Sequence, residues 1–371
     1  MFEQLVSRRS LLRTGALGGS IIGLSALVGR QPAGAQAPVD SGDAHATQEH
    51  VSGAHGANYP VGRVDHERNG FTPLQLATEF DYGALSTLPD GRTLREFRLA
   101  ALEKEIEIAP GIFFPAWTYN GRVPGPTLRA TEGELVRVHF GNGSSMPHTI
   151  HFHGIHRPEM DGVPGIGAGA IGPNESTIYE FEAAPFGFHP YHCHTLPLKR
   201  HIHKGLYGAW IIDPKEGRPP AREFVLIMNA FDTNFDSENE VYSANTVAFG
   251  YVEQPLQVKV GELVRLYVAN LTEFDLINSL HIHGNFFHVY RTGTRLEPDE
   301  YTDTIMLCQG ERAILEMTFS YPGQYMFHAH QSEFAELGWM SFFDVTEKGA
   351  ESSIAAGNAL AYCVLPPSGG G

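Results

Sequence analysis

Gly133-Glu134-Leu135-Val136-Arg137-Val138-His139-Phe140 reads as a glycine turn followed by a short alternating strand, and its first five residues recur as Gly261-Glu262-Leu263-Val264-Arg265. Two more landmarks return in the same order. His151-Phe152-His153-Gly154 is matched by His281-Ile282-His283-Gly284, and Tyr191-His192-Cys193-His194 by Phe327-His328-Ala329-His330. The offsets of 128, 130 and 136 residues are close to one period, so the chain predicts two homologous domains. Between the landmarks run short β-type segments such as Gly111-Ile112-Phe113-Phe114-Pro115-Ala116-Trp117-Thr118-Tyr119. Glycine and proline (41 and 24) punctuate them, and helical periodicity is scarce, which favours an all-β sandwich or barrel. The domains are expected at 92–213 and 223–346. They are joined by the proline-rich linker 214–222, preceded by a flexible arm at 38–91 and followed by a tail at 347–371.

The N-terminus carries Ser7-Arg8-Arg9-Ser10-Leu11-Leu12, then a weakly apolar run from 14 to 29 and the small-residue site Ala35-Gln36-Ala37. This predicts a twin-arginine signal peptide at 1–37 and an exported, periplasmic protein. The run is too short and glycine-rich to span a bilayer, and no membrane insertion is expected. The formal charge is −16; without Arg8, Arg9, Arg13, Arg30 and Glu3 it is −19. Such a polyanion is repelled by phosphate backbones and anionic lipid, so no nucleic-acid partner is expected. His45, His50, His55 and His66 read as part of a solvated arm.

Nineteen histidines against three cysteines point to imidazole chemistry rather than a disulfide framework. In a strand, residues i and i+2 face the same way. His151/His153, His192/His194, His281/His283 and His328/His330 are therefore four pairs of side-by-side imidazoles, eight in all, able to converge where two domains meet. Cys193, between His192 and His194, points to the opposite face, where a second metal site would lie one peptide bond from the first. A thiolate with two imidazoles is the blue-copper donor set. His148 and His201 stand on either side to complete it, with His203 as the alternative to His201.

Pro147-His148-Thr149-Ile150-His151-Phe152-His153-Gly154 resembles the His-x-x-His-x-His motif of multicopper oxidases, and His192-Cys193-His194 through His201-Ile202-His203-Lys204-Gly205-Leu206 resembles their His-Cys-His signature. The resemblance spans about residues 92–346. It implies two cupredoxin-like Greek-key domains and four coppers per chain. His148, Cys193 and His201 would bind the type 1 copper, and the eight paired histidines one type 2 and two type 3 coppers. Domain 2 departs from the pattern, with Asn278 and Ala329 where a type 1 histidine and cysteine would stand, so it would keep cluster ligands without a blue copper. Leu206 stands at the axial position usually given to methionine; a non-coordinating leucine implies a raised potential.

The resemblance further implies a homotrimer, in which domain 1 of one subunit faces domain 2 of the next to complete each trinuclear cluster. The expected partners are dioxygen and a small reducing substrate: a phenol, an aromatic amine or a metal ion. Asp161 resembles an acidic proton relay beside the cluster, or is a turn-former before Gly162. Glu333 and Glu336 either support His330 or line a solvated loop; His156, His189 and His288 read as packing or hydrogen-bonding residues. Cys308 and Cys363 either pair or stay as thiols. Two rival functions remain. Copper nitrite reductases resemble the chain at His148, His153, His192 and Cys193, but carry Asp where His151 stands and lack His194. A non-catalytic electron carrier would need only the thiolate site.

Overall fold

The computed structural model describes residues 62–347, together with the backbone of the short strands His50–Ser52 and Asn58–Pro60. The segment 1–37 expected as a signal peptide, His45, His55 and Cys363 lie outside the described residues, as does nearly all of the tail. The fold is all-β, with two successive two-sheet sandwiches. In the first, one sheet runs Ser176–Glu182, Leu135–Asn142, Thr93–Ala109, Ala84–Thr87, with Ile112–Tyr119 also paired to Thr93–Ala109. The facing sheet runs Phe80–Asp81, Thr127–Thr131, Tyr207–Asp213, Gly187–His192, His151–Phe152. The second sandwich has a six-stranded sheet around Arg222–Phe231 and Val264–Asn270. Its five-stranded partner contains Ile277–Ile282 beside Gly323–His328 and Thr304–Cys308. Strands remote in sequence are neighbours in each sheet, several of them parallel, as crossover connections require.

The strand at Leu135–Asn142 shows how pattern becomes packing. Its side chains alternate, and Val136, Val138 and Phe140 are buried. They join Phe97, Tyr119, Phe152 and Trp210 in the core of the first sandwich. The second sandwich has its own core around Phe224, Leu280, Phe327 and Trp339. A third cluster takes Ile106, Phe114 and Phe188 from the first sandwich and Ile227, Phe231 and Tyr267 from the second. Burying such a side chain contributes about 1.5–3 kcal/mol, so a shared apolar core holds the sandwiches together, with polar contacts such as Arg129–Glu223 (2.6 Å) beside it. Main-chain bonds reinforce it: Phe188 N–H donates to Thr292 O (2.8 Å) and Ala248 N–H to Ile108 O (2.8 Å).

Residues 62–91, read from the sequence as the end of a mobile arm, are instead packed structure. Helix Pro73–Thr78 is capped by Thr72, with a reciprocal bond to Gln75, and buries Leu76 and Ala77. Pro73 O accepts from Tyr251 Oη (2.8 Å), fastening this segment to the second sandwich. The polar composition concealed four apolar anchors, Val64, Phe71, Leu76 and Ala77, too widely spaced to form a periodic signal.

Candidate metal centres

Alternation along the strand ending at His192 sends Cys193 inward, where it packs fully buried in the first core beside Ile150, Phe152 and Leu206. His148 reaches it from a loop and His201 from the short helix Leu198–His203. Cys193 Sγ lies 3.3 Å from His201 Nδ1 and 3.9 Å from His148 Nδ1, and the two nitrogens are 3.1 Å apart. The far nitrogen of His148, Nε2, is 2.8 Å from Ser144 Oγ, which suits a proton on Nε2 and leaves the Nδ1 lone pair aimed at the sulfur. Burial pushes both imidazoles down to about 4 and the Cys193 thiol up. Near neutral pH the pocket therefore offers two unprotonated imidazoles and one thiol, and a bound cation would displace the thiol proton. Two ring nitrogens and a sulfur converging in a dry pocket fit copper. Leu206 offers this pocket only carbon; its main chain accepts from Cys193 N–H (2.9 Å) and donates to His201 O (3.2 Å).

On the other face of that strand, His151, His153, His192 and His194 form a tetrad. His151 stands at ring-centroid distances of 5.2, 5.3 and 5.3 Å from the other three, and His153 lies 5.0 Å from His192. Hydrogen bonds behind the rings select the tautomers. His192 Nδ1 donates to Cys193 O (3.0 Å) and His151 Nδ1 to Asp161 O (2.9 Å), leaving each Nε2 free. His153 and His192 then bring their Nε2 atoms to 2.9 Å. His194 Nδ1 is buried with no protein partner. Burial holds His192 at about 4 and His153 at about 2. Unprotonated imidazole nitrogens converging from several strands and loops are the donor chemistry of a cation site.

The second sandwich repeats this almost bond for bond. His328 Nδ1 donates to Ala329 O (2.6 Å), His281 Nδ1 to Asp303 O (3.0 Å), and the Nε2 atoms of His283 and His328 are 2.9 Å apart. His194 N–H donates to Thr149 Oγ1 (2.9 Å), and His330 N–H to Ser279 Oγ (2.8 Å). The tetrads differ in exposure. His283 and His330 are exposed, whereas no member of the first tetrad is. Among the described residues, no metal-sized donor cluster combines the two tetrads.

Asp161 stands behind the first tetrad: its carboxylate is 2.9 Å from His151 Nδ1 and 3.4 Å from His156 Nε2. His156 thus belongs to the site's surroundings. His203 turns away from Cys193 and accepts from Asp232 N–H (3.0 Å), which leaves the thiolate pocket to His201. His189 bonds Pro185 O (3.0 Å), while exposed His288 stacks on Tyr301. Glu333 and Glu336 lie exposed on the short helix Ser332–Glu336, and Cys308 is an exposed free thiol. Sequence reasoning missed Ser144, Thr149, Asp303 and Trp117. Ser279 echoing Thr149 at the 130-residue offset was a usable signal. Trp117 had none, although its ring centroid lies 5.1 Å from His148 and 4.8 Å from His201.

Residues 103–217 and 218–349 each match a family pattern described as multicopper oxidase. A crystal structure described as a multicopper oxidase is 58% identical; the alignment covers 76% of this chain and all of that one, with a TM-score of 0.75. A blue copper oxidase from Nitrosomonas europaea is 28% identical, over 68% of this chain and 86% of that chain, at a TM-score of 0.61. The copper-containing nitrite reductase of Neisseria gonorrhoeae is 32% identical over 258 residues. The match spans 63% of this chain and 63% of the reductase's own length.

Proposed function

The chain belongs to the multicopper oxidase family, and on that premise we propose that it couples one-electron oxidation of a small reducing substrate to four-electron reduction of dioxygen to water. The substrate is a phenol, an aromatic amine or a metal ion. The doubled tetrad carries this reading: eight imidazoles, four of them with tautomers set by matching hydrogen bonds, exceed what one catalytic ion uses. Copper bound at these positions, one ion at the thiolate pocket and three between tetrads, would supply one-electron uptake and dioxygen reduction.

Every other task falls to the chain. Ser144, Asp161 and Asp303 orient imidazoles, and the first core keeps water from Cys193. Cys193 is bonded through the main chain to His192 and His194, a direct covalent link between thiolate pocket and tetrad. Asp161, touching His151 and His156, is placed to hold and pass a proton.

The same proposal includes a homotrimer, in which one subunit's first tetrad faces the next subunit's second. It is supported by the exposure of His283 and His330 and by the surface beside them. In the pairing of Ile277–Ile282 with Thr304–Cys308, His281 opposes Thr304, Ser279 opposes Met306 and Ile277 opposes Cys308, all on one face. Met306 is 60% exposed and Ile277 40%, an apolar margin that suits a subunit contact. Export through the twin-arginine leader belongs to the proposal as well.

The nitrite reductase relatives favour a second reading, one catalytic ion and nitrite as acceptor. Copper counting with optical and spin-resonance spectra, alongside oxygen uptake on a phenolic donor, separates the two. Four coppers per chain, one of them blue, with oxygen consumption is the expected result. Two coppers with nitrite-dependent turnover would replace it.

A further inference from the structure

Lys204 is 8% exposed and makes no ion pair among the described residues. Its ammonium lies 5.3, 5.6 and 5.3 Å from the ring centroids of Phe114, Trp117 and Phe235. An ammonium this deeply buried normally has a carboxylate partner. Glu103, the acid within electrostatic reach, already accepts from Ser145 N–H (3.2 Å) and from the hydroxyls of Ser144 and Ser145. Lys204 instead lines a cavity of about 370 Å³ with Lys199, Arg200, Phe235 and Phe274. The one carboxylate on its wall, Asp232, is turned to the main chain, accepting from Asp236 N–H (3.1 Å) and Ser237 N–H (2.8 Å). Glu273 is within electrostatic reach of Lys199 as Glu103 is of Lys204, and among the described residues none of Lys199, Arg200 and Lys204 closes an ion pair with a carboxylate. A cationic, ring-walled cavity on a chain of net charge −16 runs against the charge of the molecule as a whole.

The cavity also adjoins the thiolate pocket. Helix Leu198–His203 carries Lys199 and Arg200 on one side and His201 within the pocket. Arg200 sits 5.3 Å above Trp117, whose ring touches both His148 and His201. Phe235 and Phe274 both hold left-handed backbone, with φ of 65° and 71°, so tertiary packing rather than local preference sets these two walls.

From this geometry we infer that the cavity binds anionic aromatic donors, phenols bearing a carboxylate, with the anion on Lys204 and Arg200 and the ring against Phe235. The inference rests on the oxidase reading and names its substrate class. Each phenol gives up one electron and its phenolic proton, and four such losses match one dioxygen reduced to two waters. His201, on the same short helix as Lys199 and Arg200, is the ligand nearest in the chain through which the donor's electron enters the thiolate pocket.

Two measurements on the copper-loaded protein test it. In the first, calorimetry compares 3,4,5-trimethoxybenzoate, a redox-inert aromatic carboxylate, with uncharged 1,2,3-trimethoxybenzene. In the second, kcat and KM are compared for 4-hydroxy-3,5-dimethoxybenzoate and 2,6-dimethoxyphenol. The carboxylates are expected to bind at least about tenfold tighter, as a charge-assisted hydrogen bond provides. Lys204→Met should lower the carboxylate-to-neutral preference by about that factor through KM, Lys204→Arg should restore part of it, and Lys259→Met, an exposed lysine elsewhere, should leave it unchanged. Blue absorption reports that each variant is folded and loaded. Equal binding of both inert ligands, or a preference untouched by Lys204→Met, overturns the inference even where oxygen is consumed. Tight carboxylate binding without oxygen uptake upholds the cavity and removes the oxidase reading instead.

Discussion

The thiolate pocket of the first sandwich and the equivalent place in the second share one main-chain frame and almost no chemistry. In the first, Cys193 N–H donates to Leu206 O and Leu206 N–H to His201 O; in the second, Ala329 N–H donates to Trp339 O and Trp339 N–H to Phe334 O. The second site thus has Asn278, Ala329 and Phe334 where the first has His148, Cys193 and His201, with Trp339 in the position of Leu206. Asn278 spends its amide on Thr272 Oγ1 (3.1 Å) and Ser279 N–H (2.8 Å), and Phe334 stacks on Tyr242 with centroids 4.0 Å apart. Rings and a satisfied amide fill the volume, so no lone pairs converge there. The tetrads on the opposite face were kept in both halves, down to the carbonyls behind His151 and His192 in one and His281 and His328 in the other. A sandwich frame therefore carries a metal pocket only where its side chains leave lone pairs unsatisfied.

The sharpest way to break this comparison is to make the two pockets alike. Cys193→Ser is expected to abolish blue absorption and bring donor oxidation to background, while Ala329→Cys gains no blue absorption because Asn278 and Phe334 offer no imidazole. A blue band in Ala329→Cys, or one surviving in Cys193→Ser, would reverse the assignment. His281→Ala comes next. Oxygen uptake should fall more than about 100-fold, beyond the 10–100-fold cost of losing a partner behind a ligand, with the blue absorption retained. Uptake unchanged in that variant would mean the first tetrad suffices alone. Asp161→Asn tests the support behind His151 and should cost about 10–100-fold in turnover; activity within twofold would assign Asp161 to the turn alone.

The smallest effect concerns stability. His189 and His203 in the first sandwich are held at about 4 by burial, below the ordinary 6.5. A depressed folded-state value means the unfolded chain takes up protons first. Their contribution is therefore complete above about pH 6.5 and lost as the pH falls toward 4. Outside its tetrad, the second sandwich has only the exposed His288 among the described residues. Thermal unfolding of the metal-free protein should thus show a falling Tm across that window, made shallower by His189→Gln. A slope unaffected by that change would place the sensitivity elsewhere.

Much of the site was legible because strands alternate. The i, i+2 spacing put His151 with His153 and His192 with His194, and the same rule turned Cys193 to the other side. The spacing to Leu206 favoured His201 over His203 by resemblance, but the physical reason was not legible. Both lie on one short helix, and the choice depends on Asp232 N–H arriving from the second sandwich to engage His203. The packing of residues 62–91 escaped for a related reason: anchors such as Tyr251 and Lys104 lie far away in the chain.

What the sequence alone determined was the period of the repeat, the all-β texture, the four histidine pairs and the loss of thiolate and imidazole in the second half. These are local facts of spacing and residue type, and strand geometry converts them directly into faces. Only the tertiary structure decided which loops bring His148 to Cys193, which carbonyls set the tautomers, and that Lys204 lies buried beside Arg200 without a carboxylate. Such features arise from contacts between residues tens of positions apart, and their energies depend on burial and on the direction of lone pairs. Neither quantity is written in the order of the residues.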